Sequence, residues 1–241
     1  MTIKVREGGG FQVSDSDVAL TLLPLDRIDE AAKLTAEAFA GRPNAWRAIV
    51  GASSSRNEQL QFLQWLFARN LWLRRDSGCN RCVMSGGDLV CSFMFVPPDT
   101  PDVSVWDMLR AGLLKLPWLF GLDRFKRLLK AKNIEERELM ELGEDVEGVF
   151  RLERMVVKPE MQGRGIGTRA LGLALLEADL VSKAVILSTQ EERNCRFYEA
   201  LGFEVIQFGT RDIDGESYPI WTMRRPPKAR PSGSKTPASP P

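Results

Sequence analysis

Apolar and polar positions along this chain alternate between two rhythms. Val18–Leu25 reads as a first strand. Asp26 is placed to cap a helix whose apolar face is Ile28, Ala31, Ala32, Leu34, Ala36 and Phe39. Gly41-Arg42-Pro43-Asn44 breaks that pattern, and Asn57–Arg75 restores it, with Leu60, Leu63, Phe67 and Leu71 at helical spacing. Cys82–Met84 and Leu89–Val96 flank the turn signal Ser85-Gly86-Gly87-Asp88 and predict a hairpin, ended by Pro97, Pro98 and Pro101. Val103–Lys132 is helical in pattern with breaks at Pro117 and Gly121, and the charged stretch Ile134–Leu142 is ambiguous. Then come a strand (Val149–Val157), a loop (Lys158–Gly167), a helix (Thr168–Leu180), a buried-type strand (Ala184–Thr189), a short helix (Asn194–Leu201) and a strand (Phe203–Phe208). A turn at Asp214-Gly215 leads into a last strand, Tyr218–Arg224.

An early hairpin combined with a late strand–helix–strand crossover predicts an α+β (mixed α/β) fold with a mixed sheet, in one domain spanning 18–225. Residues 1–17, rich in Gly, Ser and Asp, are expected to be a disordered N-terminus. Residues 226–241 hold six of the 14 prolines and three cations without an acid, and are expected to be a disordered Pro/Ser-rich basic tail. The N-terminus lacks the apolar core of a signal peptide. The most apolar stretch, Ala111–Leu122, is interrupted by Lys115 and Pro117 and is too short to span a bilayer. A cytoplasmic protein without a membrane partner is expected. The net charge of +1 on 241 residues gives no reason to expect a nucleic-acid partner.

Composition narrows the chemistry further, because the chain has no histidine. Ser–His–Asp and Cys–His nucleophile systems, imidazole bases and His-ligated metals are thereby excluded. Proton transfer falls to carboxylates, Tyr, Lys, Cys, backbone or water. Cys79 and Cys82 form a lone C-x-x-C without the second pair a zinc ribbon needs, so they read as reduced thiols and no metal is expected.

The sharpest motif is Gln162-Gly163-Arg164-Gly165-Ile166-Gly167-Thr168, between a strand and an apolar helix. Alternating glycines allow a tight turn and bare several N–H groups at a helix N-terminus, where the dipole favours anions. A phosphate or pyrophosphate cradle is the physical expectation, and a tight connection packed with small residues is the plainer one. A Walker A loop is set aside because no Lys follows the glycines. Gly165-x-Gly167-x-x-Ala170 fits a dinucleotide fingerprint only out of context, far from its strand and late in the chain.

Gln162-x-x-Gly165-x-Gly167 also matches the [Gln/Arg]-x-x-Gly-x-[Gly/Ala] loop that holds the pyrophosphate of acetyl-CoA. Further on, Asn194-Cys195-Arg196-Phe197-Tyr198-Glu199-Ala200-Leu201-Gly202-Phe203-Glu204 resembles the N-x-x-x-[FY]-Y-x-x-x-GF-x signature: it keeps Phe197-Tyr198-x-x-x-Gly202-Phe203, with Asn194 one residue closer to the aromatic pair. On these two blocks the chain resembles the GCN5-related N-acetyltransferase (GNAT) family. The likeness is close over 149–206 and weaker over 18–225. The ending Trp221–Pro226 is similar to the puromycin N-acetyltransferase-like branch.

This resemblance implies a single GNAT-like domain with a mixed, splayed sheet flanked by helices, opening between strands 149–157 and 184–189 to take acetyl-CoA as acetyl donor. Met155, Val156 and Val157 would line the pantetheine arm, with the backbone groups of Met155 and Val157 pairing with it. Gln162, Gly163, Arg164, Gly165, Ile166, Gly167 and Thr168 would hold the pyrophosphate. Asn194 matches a cofactor-contacting position and is equally placed to cap the helix after it. Tyr198 matches the tyrosine that protonates the departing thiolate, or is a half-buried core residue. Glu153 is the candidate base, expected on the same face as Arg151 and Met155, or is an exposed strand carboxylate. Acceptor binding is expected around 39–50 and 103–142, where Trp46, Trp106 and Trp118 either stack the acceptor or belong to the core. The implied function is N-acetyl transfer by direct attack of a primary amine, of a small molecule. The alternatives are a non-catalytic acetyl-CoA-binding sensor and a protein lysine acetyltransferase.

Overall fold

The computed structural model describes residues 1–241 except 1, 7–9, 16–17, 43, 102–103, 144–147 and 229–241; of 2–6, 10–15 and 105 it describes the backbone alone. The expected C-terminal tail therefore lies mostly outside the described residues. The described residues form nine strands: β1 (Thr2–Arg6), β2 (Gly10–Asp15), β3 (Val18–Leu22), β4 (Asn80–Ser85), β5 (Asp88–Val96), β6 (Phe150–Val157), β7 (Val185–Thr189), β8 (Glu204–Ile213) and β9 (Glu216–Arg225). The helices are α1 (Ile28–Phe39), α2 (Ala45–Val50), α3 (Arg56–Leu73), α4 (Val105–Arg110), α5 (Leu116–Phe120), α6 (Leu122–Leu142), α7 (Ile166–Leu180) and α8 (Glu192–Glu199).

The strands form one sheet in the order β1-β2-β3-β4-β5-β6-β7-β9-β8. Among the described residues only β6 and β7 run parallel, and α7 is their crossover. The mixed α/β fold is as expected. The composition of residues 1–17 predicts disorder, whereas Thr2–Arg6 and Gly10–Asp15 pair as an antiparallel hairpin that extends the sheet beyond β3. Ile3, Val5, Phe11 and Val13 alternate with polar residues there, which suits a strand pair better than the composition suggests.

Local chemistry explains the boundaries. Ser55 and Glu58 form a capping box at the start of α3. Gly86 and Gly87, at φ 60° and 89°, make the tight β4–β5 turn. Pro117 lies in the first turn of α5, where its missing N–H costs nothing, so it starts a helix and does not break one. Gly121, at φ 88°, provides the break. The ambiguous stretch Ile134–Leu142 continues α6.

The sheet separates two apolar layers. On one face α1 and α3 bury Ala31, Phe62, Leu63 and Phe67. On the other, α7 and α8 bury Ala170, Leu171, Ala174 and Cys195 against Phe93, Phe95 and Phe150. All four cysteines are buried free thiols.

Two buried ion pairs pin α7 to the sheet. Arg81 of β4 lies 2.7 Å from Glu177, and Arg225 of β9 grips Asp179 with two bonds of 2.8 Å. Burial opposes the charge of Asp179, but Arg225 and the backbone N–H of Lys228 together hold its carboxyl below the usual range. Its stabilisation is therefore complete above the unfolded value of ~3.9 and is lost as pH falls through the lower folded value. Asp179→Ala leaves Arg225, only 3% exposed, without its partner. It should cost about 3–5 kcal/mol in urea denaturation at pH 7, and much less near pH 2. A loss under about 1 kcal/mol at pH 7 would show that the pair does not hold α7.

Candidate active site

The site begins with an irregularity in β6. Met94 of β5 lies opposite Glu153, but Ser92 lies opposite Val156, so β6 carries one extra residue. Arg154 accommodates it at φ 51°, a left-handed conformation that costs a non-glycine residue energy. The bulge resets the alternation. Phe150 and Leu152 before it, and Met155 and Val157 after it, pack on the α7 side. Val156 packs on the α1–α3 side, and Arg154 reaches the same side. The expectation that Glu153 shares a face with Met155 is therefore corrected: the extra residue turns Met155 away from it.

Next to the bulge the sheet opens. β6 and β7 are in register from Phe150↔Val185 to Leu152↔Leu187, and among the described residues their pairing goes no further. At the far end of β6 the Gln162 side chain turns back and donates to the Val157 carbonyl at 3.0 Å. That bond occupies one of the backbone groups expected to meet the pantetheine arm. Gly163 and Gly165 both sit at φ 74°, and Gly165 directly precedes α7. Arg164 is exposed, and its carbonyl accepts a bond of 3.1 Å from Arg169. Thr168 is exposed, whereas the Ile166 side chain is buried, so Ile166 can offer a ligand only its backbone.

Gly167 answers to packing. A Cβ there would lie 3.2 Å from Val157 Cγ2 and 3.4 Å from Met155 Cε, with Phe197 of α8 also close. The missing side chain lets α7, β6 and α8 converge. Asn194 is inside α8, which starts at Glu192, so the reading of Asn194 as an N-cap is corrected. Its Nδ2 donates to Thr189 Oγ1 at 3.2 Å and ties α8 to the end of β7. Tyr198 is half-buried, its ring in edge contact with Phe197 and Phe203. Burial raises its phenol above the ordinary value, and neighbouring Cys195 and Cys91 add to the effect.

On the opposite face lies a charged cluster that periodicity did not single out. Arg154 bonds Glu153 at 2.7 Å, and Arg151 lies 3.9 Å from the same carboxylate. Arg211 of β8 pairs with Glu138 of α6 at 2.5 Å. Glu135, one turn earlier on α6, faces Arg211, Glu153, Arg154 and Arg151, and among the described residues it has no ion-pair partner. Solvent reaches Glu135, yet it sits deep enough among protein atoms that desolvation raises its carboxyl above the usual range. Arg211 opposes that shift and Glu153 adds to it. The helical period of α6 could have pointed to Glu135 and Glu138, but not to their partners on β6 and β8.

Beside this cluster, a cavity of about 180 Å³ is lined by Asn44, Arg47, Ala48, Glu216, Ser217 and Tyr218. Arg42 bonds Glu191 and joins the α1–α2 turn to the β7–α8 turn. Of the three tryptophans expected near an acceptor, Trp46 is packed against Phe39 and Phe67. Trp106 and Trp118 are 70% and 83% exposed.

With this geometry in hand, the chain can be set beside known proteins. Residues 132–205 match the family described as acetyltransferase (GNAT) domain. Among solved structures, a histone acetyltransferase HPA2 and related acetyltransferase from Corynebacterium glutamicum is 19% identical, with a TM-score of 0.59 over 90% of this chain and 99% of its own. A mosquito arylalkylamine N-acetyltransferase like 5b is 14% identical, with a TM-score of 0.56 over 87% of this chain and 100% of its own. A Drosophila melanogaster polyamine N-acetyltransferase that forms N-acetylagmatine is 11% identical, with a TM-score of 0.54 over the same shares. No curated protein sequence matches. The matched segment runs through the bulged strand, the glycine loop and α8, so this part of the chain is similar to a GNAT domain, and the chain shares the fold of these acetyltransferases along most of its length.

Proposed function

We propose that the protein transfers an acetyl group from acetyl-CoA to a primary amine of a small molecule. The observation that carries this reading is the gap between β6 and β7, with the glycine loop at one end, Tyr198 in the apolar layer on the α7 side and the charged cluster on the other face. The loop suits the donor. Nothing lies within 4 Å of a Cβ position on Gly163 or Gly165, so a ligand can approach their backbone, and the amides from Gly163 to Thr168 gather at the positive end of α7. Met155 offers backbone groups along the gap, the Val157 carbonyl joins them once Gln162 releases it, and Asn194 holds the rim together through Thr189.

When bound, acetyl-CoA supplies an activated acetyl group. The chain supplies the proton management. Tyr198, with its phenol raised above ~10, keeps its proton throughout the neutral range and can give it to the departing thiolate. The acceptor reaches the site as an ammonium and must lose a proton before it attacks. Glu153 is engaged by Arg154 and Arg151, whereas Glu135 has no ion-pair partner among the described residues and a carboxyl raised by desolvation. This favours Glu135 as the group that attracts the ammonium and takes its proton, with Glu153 orienting the guanidinium of Arg154. The cavity between α2 and β9 gives the body of a small acceptor a place on the same side. Structural relatives named for arylalkylamines and for agmatine share the fold and are consistent with this class.

A panel of primary amines assayed for free thiol release from acetyl-CoA tests the proposal, and silence across aryl-, alkyl- and guanidino-amines would count against it. Tyr198→Phe should lower kcat by about 10²-fold or more and leave acetyl-CoA affinity within about twofold. An unchanged kcat would return Tyr198 to the core. Gly165→Ala forces a side chain onto φ 74° and turns the loop amides, so it should weaken acetyl-CoA binding by about tenfold with little effect on melting temperature. Equal affinity would remove the loop from the site. The base works only when unprotonated, so kcat/KM should rise with pH through a carboxylate pKa above ~4.3. Glu135→Gln should abolish that limb and Glu153→Gln keep it; the reverse would assign the proton to Glu153.

A further inference from the structure

Among the described residues, more than half of the exposed large hydrophobic side chains lie in the segment between β5 and β6. Trp106 and Leu109 of α4 are 70% and 48% exposed, and Trp118 and Leu119 of α5 are 83% and 55% exposed. Leu114 between these helices, and Leu122 and Leu129 of α6, are exposed by 42%, 54% and 44%. The same short helices use other residues to hold the core: Leu113, Leu116, Phe120 and Phe125 pack inward. The segment therefore has two apolar sides, one seated on the protein and one facing outward. Single exposed leucines are ordinary, but two tryptophans and five leucines within 24 consecutive residues, Trp106–Leu129, are not.

Charge says what suits the outward side. Residues 105–132 hold seven cations and two acids; Arg124, Arg127, Lys130 and Lys132 pair with Glu58, Asp214 and Glu136, which leaves Arg110, Lys115 and Lys126 as the cations of the outward side. Arg110, Lys115 and Lys126 are exposed among the apolar residues. Asp107 is committed to Ser104 in the α4 capping box. Lysine is depleted from the centres of protein–protein interfaces. Tryptophan and leucine interspersed with Lys and Arg are instead the composition of surfaces that rest in the headgroup layer of an anionic bilayer. Among the described residues no helix is long and apolar enough to cross a membrane, so the contact is peripheral.

We infer that the outward side of α4, α5 and the start of α6 is a docking surface for an anionic lipid bilayer. Trp106, Trp118 and the leucines enter the headgroup layer, and Arg110, Lys115 and Lys126 face the lipid phosphates. This departs from the expectation of a protein without a membrane partner, which rested on the absence of a spanning segment.

The test is co-sedimentation of the full chain with phosphatidylcholine vesicles and with vesicles containing phosphatidylglycerol. Binding should be at least about tenfold tighter to the anionic vesicles and should fall steeply in 0.5 M salt, a concentration about three times physiological. Tryptophan fluorescence should shift to the blue on binding. The double variants Trp106→Ser/Trp118→Ser and Lys115→Glu/Lys126→Glu should each lose binding. Because these side chains are exposed, circular dichroism and melting temperature should match the unmodified protein. The inference is overturned if anionic vesicles leave the protein in solution, if both lipid compositions bind alike, or if the tryptophan variant binds unchanged. It is also overturned if light scattering shows a dimer that the tryptophan variant dissolves while vesicles bind nothing, since the face would then join two copies of the chain.

Discussion

The site depends on one extra residue in β6. Arg154 in its left-handed conformation lets Phe150 and Leu152 pack under α7, lets Met155 and Val157 do the same after the bulge, and places Glu153 and Arg154 together on the opposite face. Without it a strict alternation would put Met155 on the side of Glu153. The bulge also lies where β6 leaves β7, so the opening and the change of face coincide. The strain at Arg154 is offset locally: its guanidinium bonds Glu153 and rests near Met94 and the Phe67 ring.

An opening in a sheet is stable only if its edges are held from outside. Here α7 and α8 supply the clamp. Arg81–Glu177 and Arg225–Asp179 anchor α7 to strands on both sides of the gap. Gly167 lets α7 approach β6 closely, and Asn194 fastens α8 to Thr189. The gap thus divides the chemistry. One face carries the glycine loop and Tyr198, in an apolar layer that keeps a phenol protonated. The other carries Glu135 and Glu153 with Arg151, Arg154 and the buried Arg211.

Much of this was legible because it is local. The loop glycines, the β4–β5 and β8–β9 turns and the caps depend on backbone conformations that only certain residues adopt, and each leaves a mark in sequence. The family likeness rested on those same marks. The bulge left none, since it exists only in the register of β6 against β5. The charged half of α6 looked ambiguous because Glu138 is paired with Arg211, 73 residues away. Trp46, Trp106 and Trp118 look alike in sequence, yet one is core and two face outward, because the turns around Gly112 and Gly121 re-aim the short helices. The absence of histidine excluded several reaction classes at the outset.

The central claim is that the glycine loop and the adjoining gap form a binding site for acetyl-CoA. Calorimetric titration of the unmodified protein with acetyl-CoA tests it most directly. The account predicts saturable binding of one equivalent, with desulfo-CoA, which keeps the pyrophosphate, competing for the same site. No heat of binding at millimolar ligand, or binding indifferent to the pyrophosphate-bearing competitor, would contradict it.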